Sequence, residues 1–200
     1  MKRSARGRVE ALASRQHAFR DGPLSFRRPE EIVFGTGKSA LGSVLVASGD
    51  NGIVSIIVRK KADELVGELR RRFPKADLVR KDRECKPLVA RVVKFIAAPI
   101  GQLGLALDVR GTELQQRVWR EVGKIPFGQT STYTKIAAAI GAPRAIRAVA
   151  GSCSRCWFSF AIPCHRVLHT AAPGRKPDRR DGRQYAWVEY EARVHSRRAG

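Results

Sequence analysis

The sequence predicts an α/β (α+β) fold, a small amino-terminal sheet domain packed on a mostly helical carboxy-terminal domain. Three observations carry this reading. Between residues 31 and 58, β-branched runs alternate with turn residues. From Gly111 onward, the period switches to that of helices. With 43% hydrophobic residues in 200, the chain can bury a real core. The division is a basic arm over 1–30, an α/β domain over 31–109 and a helical domain over 110–200.

Taken in order, the arm (Arg3, Arg6, Arg8, Arg15, Arg20, Arg27, Arg28) lacks hydrophobic periodicity and reads as mobile. Runs at 42–47 and 53–58 flank Ser48-Gly-Asp-Asn-Gly52, whose residues tolerate positive φ, which predicts a hairpin. Over 62–73, Leu65, Val66, Leu69 and Phe73 share one helical face, and Pro74 ends the helix. A second helix covers 86–97 with Leu88, Val92, Val93 and Ile96 inward, and alternation over 103–109 predicts another strand.

Thr112-Glu-Leu-Gln115 is a capping-box pattern; it opens a helix with Leu114, Val118, Trp119 and Val122 apolar, stopped by Gly123. After a turn at 125–128, a short helix over 133–140 ends at Gly141. Ala142-Pro143 starts the next helix, because proline suits a first helical position, and that helix runs to about Ser154. Short helix, glycine turn, second helix is a helix-turn-helix pattern. In the second helix, small residues (Ala145, Ala148, Ala150, Gly151) alternate with Arg144 and Arg147. Small residues allow close approach to a groove, and arginine neutralises phosphate or enters a base stack.

The net charge of 39 − 18 = +21 calls for a polyanion, with nucleic acid ahead of an anionic membrane surface. No apolar run is long enough to span a bilayer and no secretory signal opens the chain. A cytoplasmic location is expected, with Cys85, Cys153, Cys156 and Cys164 reduced and Cys85 in the core or incidental.

The chemistry concentrates in Ile162-Pro-Cys-His-Arg-Val167, which closes the apolar run at 157–162. Pro163 biases its predecessor toward extended backbone and presents Cys164 at a fixed place. A cysteine attacks as its thiolate, which a neighbouring histidine or cation promotes. Cys153-x-x-Cys156 with Cys164-His165 could instead bind zinc. Adjacent residues rarely point at one metal and the run between is apolar, so free thiols are favoured over a metal, and no cofactor is expected.

With these pieces in order, the chain resembles the O6-alkylguanine-DNA alkyltransferases (methylated-DNA–protein-cysteine methyltransferases), in particular the carboxy-terminal domain of the Ada type. The matching stretches are Arg110-Gly-Thr-Glu-Leu-Gln-Gln-Arg-Val-Trp119, Ile125-Pro-Phe-Gly-Gln-Thr130 with Tyr133, Ala145-Ile-Arg-Ala-Val149 and Ile162-Pro-Cys-His-Arg-Val167. They cover roughly 40–168, with a return in the last helix.

The resemblance implies an RNase H-like sheet domain, a helix-turn-helix in the minor groove, and a monomer that acts on duplex DNA containing O6-alkylguanine. The damaged base would be flipped out and its alkyl group transferred irreversibly to Cys164. His165 would be the base, oriented by Glu191. Arg147 would fill the gap left by the flipped base, Tyr133 would help rotate the target phosphate, and Arg144, Ala148 and Gly151 would complete the DNA face. Pro163 and Arg166 would shape the pocket. No Cys-rich sensor domain like that of full Ada proteins is visible.

Two departures from the family pattern bear on the site. Cys156 stands where the family has an asparagine that braces the turn before the active-site strand. Arg175-Lys-Pro-Asp-Arg-Arg180 replaces the loop that lines the base pocket. These departures support an alternative in which the chain binds alkylguanine lesions without transferring the alkyl group.

Overall fold

The computed structural model describes residues 18–21, 30–99, 103–158, 160–168 and 182–199. It is a mixed α/β structure that divides into two compact units. The first comprises Met1–Ala98, Gln102–Thr112 and Trp157–Ser159; the second comprises Pro99–Gly101, Glu113–Cys156 and Phe160–Gly200.

In the first unit, β2 (Glu31–Ser39), β3 (Gly42–Gly49) and β4 (Gly52–Arg59) form an antiparallel meander. The turn between β3 and β4 is the predicted hairpin, with Gly52 at φ +152°. A Cβ there would come within 2.7 Å of the Ala106 carbonyl oxygen, so glycine is required by close approach as well as by φ. β5 (Asp77–Arg80) pairs parallel with β2, which gives the order β4-β3-β2-β5. At four residues, β5 is too short to announce itself by alternation, and the sequence reading missed it.

The helix α1 (Asp63–Arg72) packs Leu65 and Leu69 onto Ile32, Phe34, Leu45, Ala47, Val54 and Ile57. The helix α2 runs from Asp82 to Ala97, four residues longer than predicted, with Pro87 inside it. Asp82 and Glu84 in its first turn suit the helix dipole, which favours the earlier start. Cys85 lies on α2 against Gly35, fully in the core; burial and the neighbouring Glu84 and Asp82 push its thiol up to about 11.

The strand expected over 103–109 is shorter and later. β6 is Asp108–Gly111, and Leu107 makes only a single bridge to Ile53. Part of the supposed mobile arm is also ordered. Ala18–Asp21 form β1, paired parallel with β6. Backbone pairing needs no side-chain pattern, which is why periodicity did not reveal it. The rest of the arm before Glu30 lies outside the described residues.

β4 is an edge strand, and two segments cap its open side. Ile53 N–H donates to the Ala106 carbonyl (2.9 Å) and Ile56 N–H to the Trp157 carbonyl (2.7 Å). Capping of this kind satisfies backbone groups that an open edge would leave exposed. Trp157 is further held by Ser55 Oγ donating to its carbonyl (3.2 Å) and by an edge-on contact with Phe73. Arg72, ion-paired with Glu68, lies over the indole.

The second unit is mostly helical. α3 (Glu113–Val122) follows Thr112 and ends before Gly123, as the capping pattern predicts. After β7 (Ser131–Thr132), α4 (Tyr133–Ala139) is capped by Thr132 Oγ, which accepts from Lys135 N–H (3.2 Å). Gly141 at φ +68° ends that helix, and α5 (Ile146–Ser154) follows. The predicted start of α5 at Pro143 is corrected to Ile146. Residues 142–145 form a turn closed by Ala145 N–H on the Ala142 carbonyl, and proline suits a turn as well as a helix start. Trp119 ties α3 to α5 by donating from Nε1 to the Ser152 carbonyl (3.0 Å). A 3₁₀ turn (Cys164–Arg166), β8 (Val167–Leu168), paired parallel with β7, and α6 (Gly182–Ala199) complete the unit. Among the described residues no helix is long and apolar enough to cross a membrane.

Candidate active site

Pro163, with no N–H and φ −79°, enters the 3₁₀ turn. Cys164 N–H donates to the Ile162 carbonyl (2.8 Å) and Arg166 N–H to the Pro163 carbonyl (2.9 Å). The turn aims three successive side chains, Cys164, His165 and Arg166, into the protein, and all three are buried.

Glu191, on α6 and only 2% exposed, is where two of them meet. His165 Nε2–H donates to Glu191 Oε1 (2.9 Å). Arg166 grips the same carboxylate with Nε on Oε2 (2.8 Å) and Nη2 on Oε1 (2.9 Å), while its Nη1 donates to the Ile125 carbonyl (2.7 Å). Burial works to raise the Glu191 carboxyl, but the hydrogen bonds and charges of His165 and Arg166 prevail and hold it below its usual value. Arg166 therefore acts as counter-charge and brace for Glu191, and its guanidinium also faces the Phe127 ring.

His165 is shifted down, because burial outweighs the opposing pull of Glu191. It is a neutral imidazole at pH 7. With Nε2 committed to Glu191, its lone pair resides on Nδ1, the arrangement of a general base. The ring packs at a tilt against Phe160 (4.8 Å between centroids) and is met edge-on by Trp187 (5.6 Å), and these two aromatics also pack on each other. Phe160 has φ +64°, a conformation a bulky residue adopts only where its surroundings enforce it. The sequence reading missed Phe160, since nothing in the pattern signals a left-handed aromatic.

Cys164 lies beside the two cysteines that the sequence grouped with it as possible metal ligands. The thiols of Cys153 and Cys156 are within hydrogen-bonding reach, and those contacts, with full burial, raise Cys164 well above an ordinary thiol. The Cys164 thiol thus rests protonated, and forming its thiolate requires a base. Cys156, on the turn after α5, is half-buried and joins this thiol cluster. Among the described residues no group of three or more His, Cys, Asp or Glu side chains is arranged to hold a metal ion. His165 Nε2 in particular is turned to Glu191.

The residues expected to face a ligand fall into two sets. Arg144, Arg147 and Ala148 are exposed on the turn and first part of α5, with Gly151 half-buried one turn on. A Cβ at Gly151 would make only an ordinary contact, with Arg155, so this face is open. Ile146, exposed beside Arg147, is an apolar member of this face that the sequence reading passed over. Tyr133 departs from the set: it is 5% exposed, so its ring belongs to the core and little of it reaches the surface. The atypical stretch Arg175–Arg180 lies outside the described residues.

With this geometry in place, comparison with known proteins is specific. The family model for the DNA-binding domain of 6-O-methylguanine DNA methyltransferase matches residues 113–192, a span that contains Cys164, His165 and Glu191. The chain is 40% identical over 128 residues to the bifunctional transcriptional activator/DNA repair enzyme Ada of Escherichia coli, which covers 64% of this chain and 36% of that protein. It is 33% identical over 131 residues to a methylated-DNA–protein-cysteine methyltransferase of Methanosarcina barkeri, which covers 66% of this chain and 78% of the relative. The Mycobacterium tuberculosis OGT crystallised in complex with DNA superposes with a TM-score of 0.64 at 25% identity, over 81% of this chain and 94% of that one. The chain spans 36–43% of the length of the two Ada proteins it matches. A brace of arginine and histidine on one buried glutamate beside a cysteine, in a sequence so related, places the chain in the methylated-DNA–protein-cysteine methyltransferase family.

Proposed function

We propose that the protein is a single-turnover DNA-repair alkyltransferase, a methylated-DNA–[protein]-cysteine S-methyltransferase. It moves the alkyl group of O6-alkylguanine in duplex DNA onto Cys164 Sγ. The observation that carries the reading is the buried Glu191–His165 hydrogen bond directly beside Cys164, with its carboxylate neutralised by Arg166. Because the Cys164 thiol rests protonated, transfer begins when His165 Nδ1 takes its proton, through a water. The thiolate then attacks the alkyl carbon, and the carbon–O6 bond breaks with its electron pair passing to the guanine oxygen. Glu191 stabilises the imidazolium that forms. The product thioether has no leaving group, so one molecule repairs one lesion.

The helical corner α4–turn–α5 is a helix-turn-helix that enters the minor groove, with Arg144, Arg147, Ala148 and Gly151 at the interface. Arg147 fills the stack vacated by the flipped base, and the small part of Tyr133 that reaches the surface contacts the backbone. Flipping costs a few kcal/mol, less at a base whose pairing is damaged. The order β4-β3-β2-β5, three antiparallel strands with one parallel, supports an RNase H-like reading of the first unit. A monomer in the cytoplasm, with no cofactor, suffices for this reaction. An intact base and nucleophile favour the enzyme over a lesion-binding module.

The test is intact-mass spectrometry after incubation with a duplex containing one O6-methylguanine, beside Cys164→Ser. A single methyl adduct on Cys164, absent in the variant, is the expected result. Lesion-selective binding without an adduct would make the protein a binder, and neither would end the alkylguanine reading.

A further inference from the structure

Among the described residues, Ile146 is the one large hydrophobic side chain that stands exposed, at 38%. A single exposed isoleucine is ordinary by itself. The setting of this one is strongly basic. Ile146 is the first residue of α5, with exposed Arg144 two positions before it and exposed Arg147 directly after. Ala148 is exposed too, while Val149, Ser152 and Cys153 hold another side of the helix in the core. Farther along, Arg155 Nη1 lies 3.6 Å from where a Cβ at Gly151 would stand. No acidic residue occurs from Gly141 to Cys156. An apolar side chain among arginines and small residues suits a partner whose phosphates flank a less polar floor. Duplex DNA is such a partner.

We propose that Ile146 is a specificity-determining residue that reads the floor of the minor groove, favouring A·T over G·C pairs under the start of α5. This role rests on the minor-groove placement of α5 given above and deepens it. The first residues of a recognition helix are the ones that reach base edges. Aliphatic side chains, isoleucine among them, recur in minor-groove contacts. On the floor of that groove an A·T pair shows acceptors only, adenine N3 and thymine O2, whereas a G·C pair adds the guanine N2 amino donor. Isoleucine has no acceptor to offer. Seated on a G·C pair, it takes the amino group out of water without replacing the lost hydrogen bond. On an A·T pair that penalty does not arise. Arginine only donates and so meets acceptors that every pair presents, which leaves the discrimination to Ile146.

The full chain is titrated, by fluorescence anisotropy, with three undamaged duplexes of alternating A·T, G·C and I·C sequence. Inosine is guanine without the N2 amino group, so I·C keeps the major-groove face of G·C but has a minor-groove floor like that of A·T. A·T and I·C should be bound alike, and G·C about fivefold to tenfold more weakly, the worth of one uncompensated buried donor. Ile146→Ala should bring the gap below about twofold with the salt slope unchanged, because an apolar contact releases no counterion. Ile146→Asn, whose amide oxygen accepts from the amino group, should close the gap or reverse it. Both variants should keep the wild-type thermal midpoint, since the site is on the surface. Equal binding of G·C and I·C by the wild-type protein, or a gap that survives Ile146→Ala, would overturn the proposal. An anionic membrane or an acidic protein as the true partner gives the first of these results, because neither reading involves the amino group. A methyl adduct on Cys164 with G·C and I·C bound equally leaves the repair function standing and removes this inference. The base preference without any adduct does the reverse.

Discussion

Burial and pairing pull against each other at His165, and burial wins. The folded protein resists protonating this ring, while the unfolded chain protonates it near the ordinary value of 6.5. As pH falls through 6.5, protons therefore bind preferentially to the unfolded state, and stability declines with a slope of up to about 1.4 kcal/mol per pH unit for one proton. Glu191 does not share this window, since its carboxyl is held below 4.5 and stays ionised. The thermal midpoint should thus drop between pH 7 and pH 5.5, and His165→Gln should flatten that dependence. An unchanged slope in the variant would remove the buried neutral imidazole from the account. Cys164, His165 and Arg166 were legible because few other tasks bring a thiol, an imidazole and a guanidinium together, whereas Glu191, 26 residues beyond His165, was assigned only through the family resemblance. Phe160 was not, since it depends on a left-handed backbone turn. The three cysteines were grouped in the sequence only as possible zinc ligands, and packing between α5 and the 3₁₀ turn brings them together as thiols.

At the scale of elements, the corner α4–turn–α5 separates two jobs on one helix. Val149, Ser152 and Cys153 turn inward, while Arg147 and Ala148 stay exposed. Arg147 can therefore be removed without disturbing the core. Arg147→Ala should slow repair of duplex by about tenfold to a hundredfold, the worth of one to three kcal/mol of stacking. Reaction with a free alkylguanine base should barely change; equal losses on both substrates would strip Arg147 of its role in flipping. The helices were readable because each repeats its apolar face over two turns or more. Their limits were less so: the proline before α5 carried a start signal that local hydrogen bonding overrode, and α2 begins four residues before its expected start. The short strands β1 and β5 were invisible, for four residues hold too little alternation to be distinguished from a loop.

For the whole molecule, the charge of +21 sets the conditions under which it meets DNA. Each phosphate neutralised releases counterions, so a protein making six or more such contacts loses about a thousandfold in affinity between 50 and 200 mM salt. Fluorescence anisotropy with an undamaged duplex should give a steep, linear log–log dependence, and a slope near zero would mean that the charge serves another end. The two-unit architecture was only partly visible in the sequence, because chain order conceals that Trp157 and Phe158 complete the first unit's sheet edge. That interleaving bears on how the protein is made. Ile56 emerges from the ribosome about a hundred residues before Trp157, whose carbonyl it needs, and His165 emerges before Glu191. The amino-terminal sheet must wait with an unpaired edge while the helical segment is synthesised, and His165 is locked in place only as α6 appears. Newly made chain cannot orient that imidazole until α6 has left the ribosome.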